Sequence, residues 1–137
     1  MTGLETALAT TGLKVLGEEL IQWVRQRGNE LSENDWAEMG LVISRKLEID
    51  RRNIEASFLH NSQKHDIARR IESAGQIYRE LAIVGEDEGF DQDLIDVYSE
   101  LADICANWAI ETRDLTKYWL SATDFFEVEA EYRELVD

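Results

Sequence analysis

Residues Phe90–Trp108 read FDQDLIDVYSELADICANW, and within them Phe90, Leu94, Val97, Leu101, Ile104 and Trp108 recur at alternating steps of four and three. Apolar side chains at that spacing lie along one side of a helix and make a heptad-like seam, so the stretch predicts a helix packed along much of its length. The alternation of period two that marks a half-buried strand is not sustained here or elsewhere in the chain. The same segment carries Asp93, Asp96, Glu100 and Asp103, stepping by three, four and three away from the seam. One helix therefore presents an apolar face and a ridge of carboxylates.

The pattern of apolar stripes repeats on both sides. A last helix is predicted over 114–135, with Leu115, Tyr118, Ala122, Phe125 and Tyr132 on its apolar face and Asp124, Glu127, Glu131 and Glu134 as a second ridge. Thr112 and Asp114, both capping types, mark the break before it. Upstream, Gly85-Glu86-Asp87-Glu88-Gly89 reads as a loop. A third helix over 63–84 buries Ile67, Ile71, Ala74, Tyr78 and Leu81. A second, 33–59, starts after the capping type Ser32, buries Trp36, Met39, Ile43 and Leu47, and continues through Ile54 and Phe58 to a break at His60-Asn61-Ser62. The first, 4–27, carries Leu4, Leu8, Leu13, Leu16, Leu20, Ile21 and Val24, and stops at Gly28-Asn29. With no proline and no repeat, the 137 residues predict one all-α domain, a single antiparallel bundle of about five helices.

The chemistry of common sites is missing from this pattern. His60 and His65 are five apart and fall on different faces of one helix, and no Glu-x-x-His pair occurs, so neither a zinc nor a di-iron site is expected. Asp87–Asp96 does not place oxygen ligands at the alternate positions of a calcium loop. No glycine-rich phosphate loop is present, and the expectation is that no cofactor is bound. Cys105, the one cysteine, sits among Ile104, Ala106 and Trp108 and reads as a buried thiol in a reducing compartment. No basic leader precedes the first apolar residues, and the run from Thr6 to Leu13 is too short to span a bilayer, so a cytoplasmic protein without membrane contact is expected. Arg52 and His60 are the sole trace of an enzyme. Some helical ribonucleases hold an arginine and a histidine a turn or two apart, but these two are eight residues apart in an acidic chain. They read instead as a solvated face and a helix end.

Charge is the informative feature. Residues 86–137 hold 16 of the 29 acidic side chains and 3 of the 14 basic ones, a net of −13 out of −15. That C-terminal part repels phosphate backbones and anionic membranes, so no direct nucleic-acid contact is expected. The pairs Asp96–Glu100 and Glu127–Glu131 each cost a helix about 0.2–0.5 kcal/mol. Two things offset such a loss: internal cations, with Arg45, Lys46, Arg51, Arg52, Arg69 and Arg70 as the basic middle of the chain, or a basic protein partner. The expectation is a non-enzymatic protein-binding module whose partner surface comprises the two ridges with Trp119 and Phe126. The alternative within the same chemistry is an inhibitor whose carboxylates imitate the phosphates of DNA or RNA.

Overall fold

The structure, a computed structural model, describes residues 17–56, 61–114 and 120–136. That part forms five helices: α1 (Glu18–Arg27), α2 (Glu33–Ala56), α3 (Asn61–Glu88), α4 (Gln92–Asp114) and α5 (Leu120–Val136), with a 3-10 turn at Gly28–Glu30. No strand occurs among the described residues, and the fold is an all-α helical bundle. The contacts fix its sense. Trp36 near the start of α2 bonds Leu81 near the end of α3. Tyr98 and Trp108 of α4 stack on Tyr132 and Phe125 of α5 respectively, so that pair too is antiparallel. The expected helix before residue 17 and the positions Phe58, His60, Leu115 and Tyr118 lie outside the described residues.

Local chemistry sets the helix starts. Ser32 Oγ accepts the Asp35 N–H at 3.1 Å, and Asp91 Oδ1 accepts the Leu94 N–H at 3.1 Å, each satisfying an amide of a first turn. Several expected boundaries differ. The helix expected over 4–27 is not continuous, since Gly17 is extended at φ −118° and ψ 168° and α1 starts after it at Glu18. Asn61 and Ser62, expected as part of a break, are the first residues of α3. The Gly85–Gly89 loop is helix as far as Glu88, and α3 ends in a Schellman turn. There the Phe90 N–H bonds Gly85 O at 3.0 Å, the Gly89 N–H bonds Glu86 O, and Gly89 sits at φ 68°. Gly85 is instead a packing residue, since a Cβ there would lie 2.6 Å from Trp36 Cζ2 and 2.7 Å from Ile95 Cγ1. Likewise α4 runs unbroken through Thr112 to Asp114. The Thr112 hydroxyl turns back to Trp108 O at 2.8 Å and is buried, so it caps nothing.

Trp36, Met39, Ile43 and Leu47 of α2, Ile67, Ile71, Ala74, Tyr78 and Leu81 of α3, and Ala122, Phe125 and Tyr132 of α5 are all buried as expected. On α4, Leu94, Val97, Leu101 and Trp108 are buried, but the buried face also takes in Ile95, Tyr98, Ala102, Cys105 and Ala109, while Phe90 and Ile104 are half-buried. A two-helix seam is narrow; α4 has α3 on one side and α5 on the other, and needs a wider face. Burial pushes the Cys105 thiol far up, so it stays protonated.

Three tyrosines from three helices converge on one turn of α2. The Tyr98 hydroxyl donates to Trp36 O at 2.7 Å and accepts the Gly40 N–H at 3.2 Å, a carbonyl and an amide one helical turn apart. Tyr78 donates to Gly40 O at 3.3 Å, and Tyr132 donates to Ala37 O. A Cβ on Gly40 would lie 2.7 Å from Tyr132 Cζ and 2.8 Å from Tyr98 Cε1. Burial raises the Tyr78 and Tyr98 phenols well above their ordinary value, and Tyr132 to about 12.

Two outcomes follow. Gly85→Ala overpacks Trp36 and lowers unfolding free energy by about 1–3 kcal/mol in urea titration, despite alanine's better helix propensity. In alkali, a phenol buried neutral holds its proton when the unfolded chain has lost it, so the unfolded state binds fewer protons above about pH 10. Stability is therefore complete below about pH 10 and falls as pH rises toward the Tyr132 value of about 12. Urea midpoints measured across that range fall less steeply for Tyr132→Phe.

Candidate acidic face

Asp93, Asp96, Glu100 and Asp103 on α4 and Asp124, Glu127, Glu131 and Glu134 on α5 all have exposed side chains. Their steps of three and four set them opposite the buried faces of the two helices, so exposure follows from the packing that buries Leu101, Trp108, Phe125 and Tyr132. Two members have partners in the bundle. Arg79 of α3 reaches Asp103 at 2.7 Å, and Gln92 donates to Asp96 at 2.9 Å. Among the described residues no cation pairs with Asp93, Glu100, Asp124, Glu127, Glu131 or Glu134.

The neutralising cation is not one of the consecutive basic residues singled out from the sequence. Arg69 is exposed and forms no ion pair with either ridge among the described residues, and the Arg51 and Arg52 side chains lie outside them. Arg79 reaches Asp103 because α3 and α4 run antiparallel, the same geometry that lets Arg113 of α4 reach Glu72 of α3 at 2.7 Å. Both pairs are largely solvated, with 37–73 % exposure of their side chains, so each contributes little to stability.

The aromatic members of the face divide. Phe126 is half-buried, with its ring edge-on to Phe125 at 5.0 Å and to Trp108 at 6.0 Å, so much of it belongs to the core margin. Trp119 lies outside the described residues, as do His60 and the side chain of Arg52 from the ribonuclease-like reading. Leu135, beside Glu131 and Glu134, is 44 % exposed, a large apolar side chain that α5 leaves in water.

One acid of α5 is unlike the ridge. Glu129 is 5 % exposed and accepts hydrogen bonds from Ser44 Oγ of α2 at 3.2 Å and from Arg133. That contact raises the Arg133 guanidinium pKa. The sequence carried a signal for it: Glu129 falls four after Phe125 and three before Tyr132, on the apolar stripe rather than on the ridge. Its role is to join α5 to α2.

Among the described residues no group of three or more His, Cys, Asp and Glu side chains is placed to hold a metal ion, and no helix is long and apolar enough to cross a membrane. No family model matches this sequence, and no curated protein or solved structure matches it either.

The two kinds of acid separate on mutation. Arg133→Ala leaves the buried Glu129 carboxylate with Ser44 alone and lowers unfolding free energy by about 1–3 kcal/mol. Arg79→Ala, which releases an exposed Asp103, changes it by less than about 1 kcal/mol. Urea titration of the two variants beside the parent checks both values.

Proposed function

We propose that this protein is a non-enzymatic binding module that engages a basic protein partner through the outer faces of α4 and α5. The observation that supports it is the solvated, uncompensated state of the ridge: Asp93, Glu100, Asp124, Glu127, Glu131 and Glu134 are exposed and no described cation pairs with them. Like charges held at helical spacing carry a small penalty that a partner's lysines and arginines remove. Such a surface steers a basic partner and sets its association rate more than its final affinity.

The ridge on α5 carries more of this function than the ridge on α4, because Arg79 already neutralises Asp103. Leu135 gives α5 apolar area beside its charges, which contributes to holding a partner once it has arrived. A narrower form of the same reading is mimicry of a nucleic acid, in which the partner's basic groove is the one that otherwise holds phosphates.

Pull-down from lysate with the parent and with Glu127→Lys/Glu131→Lys tests the proposal. The parent captures basic proteins, and capture declines when ionic strength rises from about 0.1 M to about 1 M, which shortens the screening length from about 10 Å to about 3 Å. The charge-reversed variant captures none of them. Capture that survives both changes overturns the reading. Adding duplex DNA or RNA to the captured complex distinguishes the narrower form, since a mimic is displaced and an ordinary partner is not.

A further inference from the structure

We infer that α2 docks and releases as one cooperative unit on an assembly formed by α3, α4 and α5, with Gly40 seated among Tyr78, Tyr98 and Tyr132 as the latch. The helices of the assembly meet largely through apolar side chains, as where Trp108 and Tyr98 of α4 stack on Phe125 and Tyr132 of α5. The attachment of α2 is different in kind. Its inward stripe is narrow, with Trp36, Met39, Ile43 and Leu47 fully buried and the flanking Ala37, Leu41 and Val42 half-buried.

Beside the ring contacts of Trp36 with Phe90 and Tyr98, the described part of its attachment holds a row of directional side-chain hydrogen bonds. Trp36 Nε1 donates to Leu81 O at 2.7 Å, and the three tyrosine hydroxyls engage the Trp36–Gly40 turn. Ser44 donates to Glu129, and Glu33 accepts the Asp91 N–H at 3.0 Å. Bonds of this type weaken steeply with distance and angle, so a small displacement of α2 breaks them together rather than in turn. Docking is thus two-state, with little between seated and free.

The polar groups also make release less costly than the apolar stripe alone suggests. On release the tyrosine hydroxyls and the Glu129 carboxylate regain water. So does Glu38 Oε2, which is buried without a hydrogen-bond partner when α2 is seated. Within α2, the Trp36 carbonyl and Gly40 amide that Tyr98 contacts are four residues apart, so the freed helix satisfies both within its own ladder. Release therefore lies below global unfolding, and it uncovers a platform of three phenols.

Hydrogen–deuterium exchange of the full chain, read by mass spectrometry, tests this. In the parent, amides of α2 from Trp36 to Leu47 exchange together, on the order of tenfold or more faster than the slowest amides of α3 and α4. Gly40→Ala improves the intrinsic helix propensity of α2 but places a Cβ against Tyr132 and Tyr98. It speeds α2 exchange by a further factor on the order of ten, leaving α3 and α4 unchanged. Tyr98→Phe, which deletes only the bridging hydroxyl, gives the same selective acceleration and serves if the alanine variant does not fold. Exchange of α2 at the rate of the α3 and α4 core, or acceleration of all helices alike by the substitution that folds, overturns the inference.

Discussion

The arrangement depends on the missing side chain at Gly40. A glycine inside a helix weakens it by roughly 1 kcal/mol against alanine. Here the vacancy lets rings from α4 and α5 approach where a Cβ would meet Tyr98 and Tyr132 within 2.8 Å. Large rings that close to a backbone hold their hydroxyls against carbonyls and an amide of the same turn. The aromatic chain then runs on through the core, from Phe90 over Trp36 to Tyr98, and through Tyr78 to Phe125 and Trp108. Tyrosine suits this position because its body is apolar and its tip finds a partner in an otherwise dry interior.

Electrostatics divides the acidic residues by environment rather than by sequence neighbourhood. Glu129, Glu127 and Glu131 lie within one turn of α5, yet the first is buried against Ser44 and Arg133 while the other two stand in water. A buried carboxylate needs donors and acts as a fastening between helices. An exposed one needs none, remains available to another molecule, and adds to the field outside the bundle. Because α4 and α5 are adjacent and the eight ridge carboxylates are exposed, both helices add negative charge to the solvent around this pair.

The fold class was legible because the helical period is written locally. Trp36, Met39, Ile43 and Leu47 declare the inward face of α2 through spacing alone, and all four are fully buried. The end of α3 was misread for a physical reason. Two glycines four apart around three acids resemble a loop, but only Gly89 has the positive φ of a turn, whereas Gly85 is small because Trp36 and Ile95 lie against it. Composition does not separate those two uses of glycine; a neighbour from another helix does. The ridge residues were found for the same reason as the core, since both are faces of one period, but Arg79 as the partner of Asp103 was not.

By itself, then, the sequence determined that the chain forms amphipathic helices, which face of each turns inward, and where the negative charge collects, because each of these depends on residues within one or two turns of one another. The tertiary structure alone decided that Gly40 would be a seat for three tyrosines, that Glu129 would be a fastening while Glu131 stays solvated, and that Arg79 would neutralise one carboxylate of the α4 ridge. Those outcomes join residues between 24 and 95 positions apart, and such pairs meet only when helices pack, at distances that side-chain size and helix direction set together.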